Sequence, residues 1–66
     1  MSYAVIDRCD SSRAAHAAAV STLRAERTTL IAYMRQRMDR EDWHGVMDAA
    51  ADIREIDAKL GVLEAQ

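Results

Sequence analysis

The side chains best suited to chemistry in this 66-residue chain lie near its N-terminus. Cys9 and His16 are seven positions apart, so both would lie on one face of a helix. Cys9 or Ser12 could act as a nucleophile with His16 as its base, and Cys9 and His16 could bind a metal. However, the chain has no CxxC, HxxxH or HExxH motif, and a single histidine on an alanine-rich helix is more often a packing or surface residue.

The acidic residues do not supply a reaction either. Asp48 and Asp52 are one helical turn apart on a face that we expect to be exposed, where carboxylates mainly interact with water. Nucleophilic catalysis also needs a pocket that excludes water, and a short helical chain offers none. We therefore predict that the protein is not an enzyme and has no catalytic, cofactor-binding or metal-binding residue.

The most regular pattern in the chain lies in its C-terminal third and predicts a helix over about residues 42–64. Apolar residues recur there in steps of three and four, which is the spacing of one helical face. These residues are Val46, Ala49, Ile53, Ile56, Leu60 and Leu63. Asp39 or Asp42 can cap the start of this helix.

The preceding part of the chain predicts a longer helix, over about residues 3–38. This part is rich in alanine and lacks proline and glycine, which favours uninterrupted helix. Its apolar face is broad, as expected for a helix with more than one neighbour. Residues 1–12 are open to two interpretations, because they can begin the helix or form a short arm before Asp10.

A break between the two helical patterns falls at about residues 39–42, where the apolar spacing is interrupted. The two helical patterns predict an all-α protein. Because the connection between them is short, we expect residues 1–66 to form one domain, an antiparallel two-helix hairpin. A single continuous helix is the alternative, because the break contains neither glycine nor proline.

The small size of the chain predicts self-association. A domain of this length buries little apolar surface, and its one cysteine excludes an intrachain disulfide. We therefore predict a homodimer that forms a four-helix bundle. The expected self-association seam consists of Leu23, Leu30, Met34, Val46, Ala49, Ile53, Ile56, Leu60 and Leu63.

Charge is unevenly divided along the chain. Residues 13–40 hold six arginines against two acidic residues, whereas residues 41–66 hold seven acidic residues against two basic ones. A basic helix beside an acidic one is electrostatically complementary, within a hairpin or between chains. The arginines could instead follow a nucleic-acid backbone, but the net charge is −2 and no helix-turn-helix glycine turn or aromatic stacking set is present. Binding to nucleic acid is therefore the less favoured interpretation.

The chain also offers candidate contacts for a partner protein around the predicted turn. Tryptophan, tyrosine and arginine dominate binding hot spots. The candidate partner-binding residues are Tyr33, Arg37, Arg40, Trp43 and His44. Trp43 could equally cap the hydrophobic core, because it precedes Val46 by three positions. The N-terminus lacks the pattern of a signal peptide and no apolar stretch is long enough to span a bilayer, so we expect a cytoplasmic protein.

The segment DWHGVMDAAADIREIDAKL, residues 42–60, resembles a segment of small uncharacterised proteins of proteobacterial tailed phages and prophages. The resemblance implies a phage or prophage setting, with the host cytoplasm as location, but no activity. Small phage proteins often bind a host protein and redirect or inhibit it. We therefore expect a non-enzymatic interaction module that modulates a host protein of a defence or regulatory system. The alternatives are a small DNA-associated regulator that uses the arginine face of the first helix, and a structural assembly protein.

Overall fold

Two α-helices make up the chain in the computed structural model, which describes the backbone of residues 2–65 and the side chains of residues 11–65. Helix α1 spans Ser2–Asp39 and helix α2 spans Trp43–Glu64. No strand occurs within residues 2–65, so the predicted all-α class is confirmed. The molecule is elongated, measuring 60 × 17 × 12 Å along its principal axes.

Helix α1 is continuous over 38 residues, so no separate arm precedes Asp10. Two of its threonines are accommodated by local hydrogen bonds, because Thr28 and Thr29 donate their hydroxyl protons to the carbonyl oxygens of Arg24 and Ala25, each over 3.1 Å. Neither helix of the described chain contains a segment of the length and apolar character that crossing a membrane requires.

Helix α1 ends in a turn that contains a left-handed residue, and that residue is not a glycine. The N–H of Asp42 donates to the carbonyl oxygen of Arg37 over 2.9 Å, and the N–H of Glu41 donates to that of Met38 over 3.0 Å. This pair of bonds defines a Schellman motif, which requires a left-handed residue at the position of Glu41. Glu41 has a φ of 57°, the one positive value for a residue other than glycine in the described chain. The chain therefore forms two helices and not one continuous helix.

Asp42 belongs both to the Schellman motif that ends α1 and to the N-cap that starts α2. Its carboxylate accepts a hydrogen bond from the N–H of Gly45 over 3.1 Å, as an N-cap residue does. Of the two capping candidates in the sequence, Asp42 is thus the residue that caps α2. Because one residue serves both motifs, the connection needs only Arg40, Glu41 and Asp42.

The core is small and is supplied mainly by one face of α2. Ala49, Ile53, Ile56 and Leu60 are buried, and these are four of the six residues that the three-four spacing selects. The other two, Val46 and Leu63, are half-buried at the two ends of the face. The half-buried residues of α1 between positions 11 and 39 form one stripe along the helix: His16, Val20, Leu23, Arg27, Leu30, Ile31, Met34 and Arg37. No side chain of α1 among residues 11–39 reaches the burial of the four α2 residues.

Candidate protein-interaction surface at the helix turn

Arg37 forms the centre of a side-chain cluster that closes the turn. Its guanidinium lies 3.4 Å from the Asp42 carboxylate and 4.9 Å from the centre of the Tyr33 ring. The first contact is an ion pair that holds the end of α1 against the cap of α2, and the second is a cation–π interaction within α1 that positions the arginine side chain. The Nε atom of Arg37 is buried and has no acceptor among the described residues.

Gly45 makes this cluster possible because it leaves room for the arginine. A Cβ atom built on Gly45 would lie 2.7 Å from the Asp42 carboxylate oxygen Oδ2 and 3.0 Å from Cδ of Arg37. Arg37 was predicted as a partner-binding residue, and in the structure its side chain is occupied by contacts within the chain.

Trp43 lies outside the core, at the start of α2. Its side chain is 59% exposed, and that of Met47, one turn further along the same face, is 69% exposed. Val46 and Ala50 are half-buried and lie between this face and the core face of α2. We call Trp43, Val46, Met47 and Ala50 the turn patch. The spacing of four between Trp43 and Met47 is visible in the sequence, where a methionine near the tryptophan already indicates an adaptable surface.

The other predicted partner-binding residues surround the turn without forming a pocket. Arg40 is exposed in the turn, and Tyr33 is 43% exposed on α1. His44 is exposed and its Nε2 lies 3.6 Å from an Asp48 carboxylate oxygen, a contact between side chains that are both open to solvent. Contacts of this kind contribute little to stability.

Half of the arginines between residues 13 and 40 form ion pairs with acidic residues of the turn or of α2. Arg24 pairs with Glu64 over 2.5 Å and Arg27 pairs with Asp57 over 2.6 Å, and Arg37 pairs with Asp42 as described. The charge complementarity expected from the sequence thus occurs within one chain. The pairs made by Arg24 and Arg27 are exposed, so they help to align the helices more than they stabilise the fold.

The residues that suggested catalysis or metal binding are not brought together among the described side chains. Within residues 11–65 no group of three histidine, cysteine, aspartate or glutamate side chains comes close enough to hold a metal ion. His16 is half-buried on α1, and Ser12 is exposed. Cys9 lies outside the residues whose side chains the structure describes.

The predicted self-association residues lie largely between the two helices of one chain. Ala49, Ile53, Ile56 and Leu60 are buried in the single chain, so their burial needs no second copy. The remaining members are half-buried: Leu23, Leu30, Met34, Val46 and Leu63.

Comparison of this chain with protein-family models, with curated protein sequences and with solved structures finds no match.

Proposed function

We propose that this chain is a non-enzymatic, phage- or prophage-type interaction module that binds a host protein through the turn patch. In this proposal the two helices form an antiparallel hairpin that acts in the host cytoplasm as a homodimer of four helices. Its effect on the host protein, whether inhibition or redirection, comes from occupying a surface.

The hairpin part of the proposal is supported by the order of the interhelix contacts. Next to the turn, Arg37 contacts Asp42. Further from the turn, Arg27 contacts Asp57, and Arg24 contacts Glu64 at the end of α2. Positions that descend along α1 therefore meet positions that ascend along α2, as in two antiparallel helices joined by a short loop.

The homodimer is supported by the small core, and the difference in helix length limits how its four helices can be arranged. Four buried apolar side chains are few for a domain that folds alone. A compact four-helix bundle of two such hairpins fits helices of similar length, whereas α1 has 38 residues and α2 has 22. The arrangement of the four helices must therefore leave room for the longer α1.

The observation that carries the interaction proposal is the exposure of Trp43. A tryptophan that is more than half exposed adds little to the core, and a tryptophan with an adjacent methionine makes a typical binding anchor. The turn holds this pair on a rigid base, because the Arg37–Asp42 contact and the cap at Gly45 fix the first turn of α2. A preorganised anchor loses little conformational entropy on binding.

The charge distribution favours a protein partner over nucleic acid. Arg24, Arg27 and Arg37 already pair with carboxylates, so phosphates would have to compete for them. The exposed arginine next to the turn patch, Arg40, is flanked by the acidic residues Asp39 and Glu41. An alternating surface of this kind is more typical of a polar rim around an apolar anchor.

The test is affinity capture from a lysate of a proteobacterial host with the tagged wild-type chain and two variants. Trp43→Ala should abolish retention of a stoichiometric host protein and leave the melting temperature almost unchanged, because the side chain is mostly exposed. Val62→Ala is the matched control: Val62 is 62% exposed on α2, far from the turn patch, and this variant should retain the same protein.

Two results would contradict the proposal. Equal retention by the wild type and Trp43→Ala would show that the turn patch is not the binding surface. Unfolding of Trp43→Ala would show that Trp43 is a core residue and not a binding anchor.

A further inference from the structure

Helix α1 continues far beyond the end of α2. Glu64, the last residue of α2, pairs with Arg24, so α2 ends near this level of α1. Residues 2–23 of α1 precede Arg24 and form about 33 Å of helix at 1.5 Å per residue. No other helix of residues 2–65 lies beside most of this segment, which we call the α1 extension.

The composition of the α1 extension is unusual for a helix surrounded by water. Residues 14–23, AAHAAAVSTL, contain no charged side chain over almost three turns. A helix that projects into solvent normally carries charged residues around its exposed sides, and one that lacks them all round is usually covered. In the single chain the alanines of this segment are nevertheless exposed.

The interhelix face of α1 also continues into the extension. Leu23, Val20 and His16 follow Arg27 and Leu30 in steps of three and four, and all five are half-buried. In the sequence, Arg13, Cys9 and Ile6 extend the same spacing. The face that packs against α2 is therefore longer than α2.

The accessible surface of the chain leaves room for a subunit interface. A compact monomer of 7.4 kDa is expected to expose about 4,200 Å², whereas this chain exposes 5277 Å². The excess, about 1,100 Å², is more than the roughly 800 Å² that each partner usually buries in a specific interface. The excess exposed surface of one chain is thus large enough to form its half of a stable dimer interface.

We propose that a second copy of this chain covers the α1 extension, with the two extensions packed antiparallel through the face of His16, Val20 and Leu23. This inference deepens the homodimer of the proposed function by naming its interface. Each extension occupies the position that α2 leaves vacant, so the interhelix face of α1 is covered along its whole length.

Steric reasons select the antiparallel direction. In a parallel pair, the part of the second α1 beyond residue 24 would run into the space that α2 already fills. In an antiparallel pair, the second α1 begins beside the end of α2 and runs away from it, and its own α2 lies at the opposite end. The two-fold axis then passes near residues 11–13, which lie at about the midpoint of the extension.

The first experiment measures the mass of the wild type and of two variants by sedimentation equilibrium. The wild type should have twice the 7.4 kDa chain mass. Val20→Glu should raise the dissociation constant of the dimer at least about tenfold, because it buries an unpaired carboxylate at two related positions. Ala18→Glu introduces the same residue about 160° away on the helix surface and should leave the dissociation constant within about twofold.

The second experiment tests the direction of pairing and does not depend on the stability of a charged variant. In the antiparallel pair, Cys9 of one chain lies beside residues 13–17 of the other. His16→Cys should therefore form interchain disulfides between Cys9 and the introduced thiol, whereas Ala18→Cys should not. An intrachain bond is excluded, because positions 9 and 16 are about 10 Å apart along one helix and a disulfide needs less than about 7 Å between Cα atoms.

Each contrary result has a distinct meaning. A dimer that persists in Val20→Glu would overturn this interface and leave the homodimer itself standing. Dissociation by Ala18→Glu alone would overturn it in favour of the alanine-rich side of α1. Predominant Cys9–Cys9 bonds in the wild type would overturn the antiparallel direction. A monomeric wild type would overturn both the interface and the homodimer.

Discussion

Replacement of Glu41 by glycine should stabilise the protein, although it removes a whole side chain. Glu41 has a φ of 57°, and the two hydrogen bonds of the Schellman motif, from its own N–H to Met38 and from the N–H of Asp42 to Arg37, require this left-handed conformation. An L-residue with a side chain loses about 1–2 kcal/mol in this region through the clash of its Cβ atom with the backbone, and glycine does not.

The expected gain can be worked out from two opposing effects. Relief of the clash contributes about 1–2 kcal/mol, whereas the greater freedom of glycine in the unfolded chain subtracts about 0.4–1 kcal/mol. The difference between the midpoints of these two ranges is a net gain of about 0.8 kcal/mol in the free energy of unfolding. For a domain of this size, that change raises the melting temperature by about 3–7 °C.

The assay is thermal unfolding followed by circular dichroism at one protein concentration, since self-association makes the melting temperature depend on concentration. Glu41→Ala is the control, because it removes the carboxylate next to the N-terminus of α2 but keeps the Cβ atom. Glu41→Asn should melt between the two, because asparagine tolerates the left-handed region better than alanine. A Glu41→Gly variant that melts at or below Glu41→Ala would refute the strain argument.

Two further predictions concern helix α2. Gly45→Ala should lower the melting temperature, because the new Cβ atom would lie 2.7 Å from the Asp42 carboxylate. Gly61→Ala should raise the melting temperature, because alanine adds up to about 1 kcal/mol of helix propensity and its Cβ atom would meet nothing beyond its own helical turn within 4 Å. A higher melting temperature for Gly45→Ala would contradict the close packing at the turn. Ile53→Asp should unfold the chain, because it places a charge in a core whose total stability is only about 3–5 kcal/mol. Ala51→Asp, at an exposed position two residues away, should stay helical, and an unchanged melting curve for Ile53→Asp would contradict the core assignment.

Trp43 shows where sequence reasoning had to leave an alternative open. Its distance from Val46 allowed it to cap the core, and its position at the turn allowed it to face a partner. Helical spacing gives the direction of a side chain relative to its own helix axis only. Whether that direction meets α1 depends on how the turn rotates the helices, and this turn leaves Trp43 largely exposed.

The sequence by itself determined the helices and the face of α2 that is buried. Helix formation depends on local propensity, and the three-four spacing gathers apolar side chains on one side of any helix, so Ala49, Ile53, Ile56 and Leu60 could be selected without knowing their neighbours.

Only the tertiary structure decided how the two helices join and what remains uncovered. The left-handed Glu41 and the packing of Arg37 against Gly45 both arise when two helix ends meet, and neither leaves a periodic signal in the sequence. The level at which α2 ends likewise depends on how the turn aligns the helices. That alignment leaves the α1 extension and the turn patch exposed, because side chains far apart in the chain come into contact only after the turn has formed.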